Sequence, residues 1–245
     1  MKIVYHPSYL EDYPTASCEC PERISSILDT FKKHNFDFVE PEKAFEKDLE
    51  LVHTVTHIQQ VRNHDPEVYN VALYSAGGAL KTAELSLTEP AFGLIRPPGH
   101  HASRGSAWGF CFFNNMAFSL KMLKEQSKIE KALVLDIDLH FGDGTVDILG
   151  GEPWISIVNF SASDREVFVE EVEKTLEEET YDIVGVSAGF DTYEKDWGGI
   201  LTTKDFYDIG ELVKDHCEKR FALLEGGYYI PDLGKNVENF LKGLE

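Results

Sequence analysis

The amino-acid sequence predicts an α/β fold in a single domain, residues 1–245: three layers, with a mainly parallel central sheet flanked by helices. Three observations carry this. Short apolar runs at 91–95, 132–135, 182–188 and 220–225 lack polar alternation, which is how strands buried on both faces read. Between them lie segments with apolar residues at helical spacing, and strand–helix alternation is the signature of parallel pairing. With 245 residues, 42% of them hydrophobic, the chain can bury one sizeable core without a second domain.

Taken in order, residues 1–6 form a first strand and 7–20 a loop. Apolar side chains at 24, 27, 28 and 31 behind Pro21 predict a helix with proline in its first turn. A second helix is predicted over 47–62, carrying His53 and His57 four residues apart on one face. Thr54-Val55-Thr56 separates them, without the glutamate of a zinc-peptidase helix, so both are read as ordinary helix histidines. His6, His34, His64 and His216 have no partner at ligand spacing and stay unassigned. Residues 71–87 read as a helix and 91–95 as a strand running into Arg96-Pro97-Pro98-Gly99-His100-His101. Two prolines stiffen that loop, so its histidine pair is positioned rather than floppy. An aromatic-rich turn at 108–115 leads into a helix through 123. A strand at 154–160, an acidic helix at 166–179, a strand at 182–188, a helix at 203–218 and a strand at 220–225 complete the alternation.

Composition narrows the function. With 23 Lys and Arg against 43 Asp and Glu, the formal net charge is -20, which disfavours direct nucleic-acid binding and permits cationic ligands such as polyamines or lysine-rich tails. Seven of those acids, however, fall in 166–179, read as the solvated face of a helix. Four cysteines are too few and too irregularly spaced for a disulfide scaffold and are read as reduced. The first residues read as a strand rather than a signal peptide, and no run of 18 or more apolar residues occurs. The expectation is a soluble cytoplasmic protein with no membrane partner.

The stretch at 132–145, ALVLDIDLHFGDGT, organises the rest. Asp136, Asp138 and His140 share a parity along the predicted strand and point the same way where it leaves the sheet. Buried carboxylates and an imidazole need a counter-charge, and an Asp-x-His pair suits zinc or iron(II), with room for a third protein ligand and a water. Ligands of open parallel sheets bind at the carboxyl ends of the strands. Four such ends carry reactive residues here: His100 and His101, Asp138 and His140, Asp191, and Tyr228. Asp138, His140 and Asp191 supply three ligands to one zinc; His101 is the base; Tyr228 donates to a developing oxyanion. Asp136 and Asp143 hydrogen-bond the histidine pair.

These motifs resemble the histone deacetylase and acetylpolyamine amidohydrolase family, whose members share the fold of arginase. The matching pieces are Pro21-Glu22-Arg23, RPPGHHA at 96–102, GFCFFNN at 109–115, DIDLHFGDGT at 136–145, SAGFD at 187–191 and EGGY at 225–228. The resemblance implies zinc at Asp138, His140 and Asp191, a pairing of Asp136 with His100 and of Asp143 with His101, and Tyr228 as carbonyl polariser. It implies that Gly109 and Phe110 line an acyl-lysine channel, Phe110 as an aromatic wall, and that Arg23 lines an inner cavity near the metal. It also implies a structural potassium ion near Asp136 and Ser156. The implied substrate is an acetylated cationic small molecule or an acetyl-lysine protein. Departures are Phe141 where a second histidine is common, Cys20 before Pro21 where a histidine is frequent, and the lack of a long glycine-rich loop after Phe160, which leaves the channel open on one side. Asp65 is a weak counterpart of the rim aspartate of many relatives. Two alternatives remain: an arginase-like dimanganese hydrolase, for which the carboxylate after Asp191 is missing, and a catalytically weak acyl-binding module on the same fold.

Overall fold

In the computed structural model, which describes residues 1–32 and 36–245, the strands are β1 (Lys2–Val4), β2 (Asp37–Val39), β3 (Ala91–Gly93), β4 (Ala132–Asp136), β5 (Ile155–Asn159), β6 (Ile183–Ala188) and β7 (Arg220–Leu224). They form one sheet in the order β2-β1-β3-β7-β6-β4-β5, and every pairing is parallel. The four strands whose ends carried the suspected site, β3, β7, β6 and β4, are consecutive neighbours at its centre. β4, β6 and β7 are buried along their whole length, which explains their unbroken apolar sequence. His34 lies outside the described residues.

The helices are α1 (Pro21–Phe31), α2 (Glu46–Leu49), α3 (Val55–His64), α4 (Pro66–Leu85), α5 (Asn115–Glu125), α6 (Asp143–Leu149), α7 (Arg165–Glu178), α8 (Thr203–His216) and α9 (Ile230–Leu244). One group packs α1 on α9, α9 on α8 and α8 on α7; the other packs α3 on α4, α4 on α5 and α5 on α6. Phe190, just past β6, packs its ring at a tilt against Phe206 of α8 and edge to face against Phe240 of α9, at centroid distances of 5.0 and 6.0 Å. Fully burying each such ring stabilises by about 1.5–3 kcal/mol. This packing fixes the loop that follows β6. No helix among the described residues is long and apolar enough to cross a membrane.

Several local expectations change. The helix predicted over 47–62 is two helices, because Thr54 caps α3 by accepting the His57 N–H at 3.1 Å, and the backbone before it turns away. The next helix begins at Pro66, ahead of the predicted start at 71, because Asp65 accepts the Glu67 and Val68 N–H groups as its cap. That is the observed role of Asp65. β2, α6 and α9 were not anticipated: β2 is too short to show a period, and α6 and α9 begin inside glycine-rich turns that mask their starts. Ser156 stands opposite Leu133 in the β4–β5 register, while Asp136 stands opposite Asn159. Three residues of strand, about 10 Å, separate Ser156 from that position. The pair proposed for potassium is therefore not brought together.

Candidate active site

The chain leaves β4 at Asp136 and turns immediately, so Asp138 and His140 sit in the connection to α6, and Asp191 arrives from the end of β6 next door. One oxygen of each carboxylate is anchored by backbone: Asp138 Oδ2 accepts from Gly226 N at 2.8 Å, and Asp191 Oδ1 from Leu139 N at 3.0 Å. The other oxygens face one imidazole nitrogen. His140 Nδ1 is 3.2 Å from Asp138 Oδ1 and 3.1 Å from Asp191 Oδ2. Donor atoms of the three residues lie within 4.8 Å of one another, the one such group among the described residues.

Asp191 Oδ2 is buried and, although within ion-pair distance of His140, makes no hydrogen bond. Two carboxylates this close need a positive charge between them. The close approach of Asp138 and Asp191 to its ring raises His140 to about 10, and burial together with the Asp138 charge raises Asp191 to about 7. The donor set fits a metal equally well: a tetrahedral zinc with bonds of about 2.1 Å separates its donors by about 3.4 Å.

Two Asp–His pairs flank this group. His100 Nδ1 is 3.1 Å from Asp136 Oδ2, and His101 Nδ1 is 2.7 Å from Asp143 Oδ1, the first residue of α6. Their environments differ. Burial alone would lower His100, but the charges of Asp138 and Asp136 outweigh it and hold the imidazolium well above its ordinary range. Burial and the neighbouring His100 charge lower His101 to about 4, so it is neutral at pH 7. The tandem loop is held from behind by Glu225, whose Oε2 accepts the Gly99 and His100 N–H groups at 2.7 and 3.2 Å.

Tyr228 follows β7 on Gly226-Gly227, and its backbone N–H donates to Asp196 Oδ2 at 2.6 Å. Burial pushes its hydroxyl well above the ordinary tyrosine value, so it remains a donor. Phe110 meets it edge to face at 6.1 Å, and Trp197 stacks on it at 4.1 Å. With His101, His140, Gly109 and Trp108 these rings line a cavity of about 100 Å³. Nothing from the connection after Phe160 lines it.

Arg23 is not in that lining. Its Nε donates to Gly227 O at 2.7 Å and a second nitrogen to Glu225 O, with the guanidinium 5.0 Å from the Tyr228 ring. These bonds to carbonyls place it beneath the tyrosine turn. His53 and His57 are likewise engaged: His53 donates Nδ1–H to Ser103 O at 3.0 Å and accepts Asn114 N–H at 2.9 Å, and His57 Nε2 meets Phe112 O at 2.8 Å. Burial lowers His53 to about 3, a neutral ring that ties the loop to α3. Trp108, Trp197, Asp196 and Glu225 were not singled out in the sequence. Two of them had a signal there, Glu225 as the first residue of EGGY and Trp108 as the first of the aromatic-rich turn at 108–115.

An Asp–His–Asp donor group beside a neutral histidine, at the edge of an all-parallel sheet, is suited to metal-assisted hydrolysis. Residues 17–168, more than half of the chain, match the family model of the histone deacetylase domain, and the chain belongs to that family. A "Probable deacetylase" of Methanothermobacter thermautotrophicus is 28% identical over 300 aligned positions, covering 100% of this chain and 91% of the relative. Acetylpolyamine amidohydrolase of Mycoplana ramosa is 30% identical over 219 positions, covering 73% of this chain and 64% of its own length. The crystal structure of the HDA15 HD domain shares the fold with a TM-score of 0.90 at 21% identity, covering 100% of this chain and 90% of that one. An alignment of 300 positions against 245 residues means that the first relative carries insertions this chain lacks.

Proposed function

We propose that this chain is a zinc-dependent amidohydrolase that removes an acetyl or other short acyl group from an amine, such as acetyl-lysine or an acetylpolyamine. The observation that carries the reading is the convergence of Asp138, His140 and Asp191 donor atoms within 4.8 Å beside a cavity that also holds His101 and Tyr228. Those three residues would hold the ion. Bound there, zinc supplies Lewis acidity toward a carbonyl oxygen and lowers the pKa of water to roughly 7.

The other steps belong to the side chains. His101, neutral and with Nδ1–H fixed on Asp143, keeps Nε2 free to take a proton from the attacking water. Tyr228 donates its hydroxyl hydrogen to the substrate carbonyl oxygen as negative charge develops there. When the C–N bond breaks, the proton taken by His101 passes to the departing amine. His100, kept protonated by Asp138 and Asp136, stabilises negative charge without exchanging its own proton. Size supports a short acyl group: a 150 Å³ cavity accommodates benzene, so about 100 Å³ suits the four heavy atoms of an acetamide.

The test is to load the purified protein with zinc and screen acetyl-lysine peptides against acetylpolyamines. Tyr228→Phe should retain its metal while turnover falls by about 100- to 1000-fold, the usual worth of one oxyanion donor. Asp191→Ala should lose metal and activity together. An unchanged rate in Tyr228→Phe, or full zinc binding by Asp191→Ala, would overturn the assignment.

A further inference from the structure

One exposed side chain at the site has contacts that a simple wall does not need. Trp108 is 54% exposed, yet its indole lies on His101 with ring centroids 3.7 Å apart and planes 29° from parallel. Its Nε1–H also donates to Asp143 Oδ2 at 2.9 Å. His101 takes the opposite oxygen, Oδ1, at 2.7 Å. One indole thus touches both members of the pair through different chemistry, a ring face to the imidazole and a donor to the carboxylate.

The backbone is shaped for this. Gly109 and Phe110 have φ of +58° and +67°, and Cys111 N–H closes the turn on Trp108 O at 3.0 Å. Two successive left-handed residues fold the chain back, sending Trp108 over His101 while Phe110 goes to Tyr228. A Cβ at Gly109 would overlap the His101 ring, so only glycine permits the approach. Phe110 accepts the conformational cost of a side chain in that region, which persists where surrounding contacts enforce it.

We propose that Trp108 is a positioning residue for the His101–Asp143 pair, covering the imidazole and holding the carboxylate oxygen that His101 leaves free. The physical need follows from exposure. Asp143 is 43% exposed while His101 is only 3% exposed. A carboxylate with one oxygen open to water can rotate and trade its histidine bond for solvent. The indole N–H removes that freedom, and the ring keeps water off the imidazole face. His101 therefore keeps one tautomer, with Nε2 unprotonated toward the cavity. This inference rests on the reading of His101 as the proton acceptor, but the restraint on the pair is a property of the protein without substrate.

The experiment follows the His101 imidazole proton by ¹H–¹⁵N NMR in the full chain without added metal, with His101→Asn to assign the signal. In the wild type the Nδ1 proton should be downfield and slow to exchange. Trp108→Phe keeps the stack and loses the N–H; its exchange should accelerate about tenfold, with the melting temperature nearly unchanged, and Trp108→Ala should accelerate it further. After zinc loading, Trp108→Phe should lower kcat on an acetyl-lysine peptide by roughly tenfold with KM within about twofold, in line with loss of an outer hydrogen-bond partner. An unprotected proton in the wild type, unchanged exchange in both variants, or a change in KM alone would overturn the proposal. Exchange that responds as stated in a protein that hydrolyses no acetylated amine would sink the hydrolase reading and leave the positioning role standing.

Discussion

Glu225 shows how a single buried side chain at this site ties structure to pH. It is fully buried; one oxygen accepts the Gly99 and His100 N–H groups, and the other has no partner. Burial raises its carboxyl from 4.5 to about 7. The folded protein therefore holds this proton after the unfolded chain has released it, and the fold loses stability as pH rises from about 4.5 to about 7. Glu225→Gln keeps an acceptor for both N–H groups and cannot ionise. In the metal-free protein its stability relative to wild type should be more favourable at pH 8 than at pH 5, measured by chemical denaturation. A difference independent of pH would mean that the carboxyl titrates at its ordinary value. His101 and His100 illustrate the same sensitivity to surroundings: adjacent in sequence and identical in chemistry, His101 is held neutral by burial and the neighbouring His100 charge, whereas His100 is kept charged by Asp138 and Asp136.

At the scale of elements, the segment between β3 and α5 is built outward from a few tethers. Asn114 caps α5 through Ala117 N and donates to Ala102 O and Thr145 Oγ1, while Thr145 N–H bonds His100 O. His53, stranded between α2 and α3, bonds the same segment at Ser103 and Asn114. The break in the helix predicted over 47–62 thus lies where the loop of the tandem histidines is fastened. Apolar periodicity continues across the break and could not show it, because the competing bonds come from residues fifty positions away. Gly109→Ala tests the tightest contact of this segment. The added methyl must displace the His101 ring, and misplacing a reacting group by about 1 Å costs on the order of 100-fold in rate. Turnover should fall by that order while the melting temperature drops by only a few degrees; equal rates would show that the ring has room to move.

For the molecule as a whole, the order of the sheet makes the site. Residues from the ends of β3, β7, β6 and β4 meet because those strands are neighbours, and at their shared edge the Asp138 and Asp191 carboxylates close on the His140 imidazole. An ion bound only by the folded state stabilises it by mass action, about 2.7 kcal/mol at a concentration 100 times its Kd. For a chain of this length that is a rise in melting temperature of about 5–10 °C. Zinc should produce it in the wild type, a chelator should reverse it, and Asp191→Ala should abolish it in a calorimetric scan. The cavity at this edge is walled by the rings of Trp108, Phe110, Trp197 and Tyr228.

The sequence alone determined the parallel α/β architecture, the strand ends that matter and the identity of the Asp138, His140 and Asp191 group. Those are recorded locally, in apolar runs and in polar residues that a buried strand end does not keep without a partner. Only the tertiary structure decided which residues support that group. Arg23 came to bond the carbonyls of the turn beneath Tyr228, Ser156 fell out of register with Asp136, and Trp108 came to lie over His101. Such roles depend on strand register, left-handed turns and hydrogen bonds between distant segments, and none of these leaves a periodic trace along the chain.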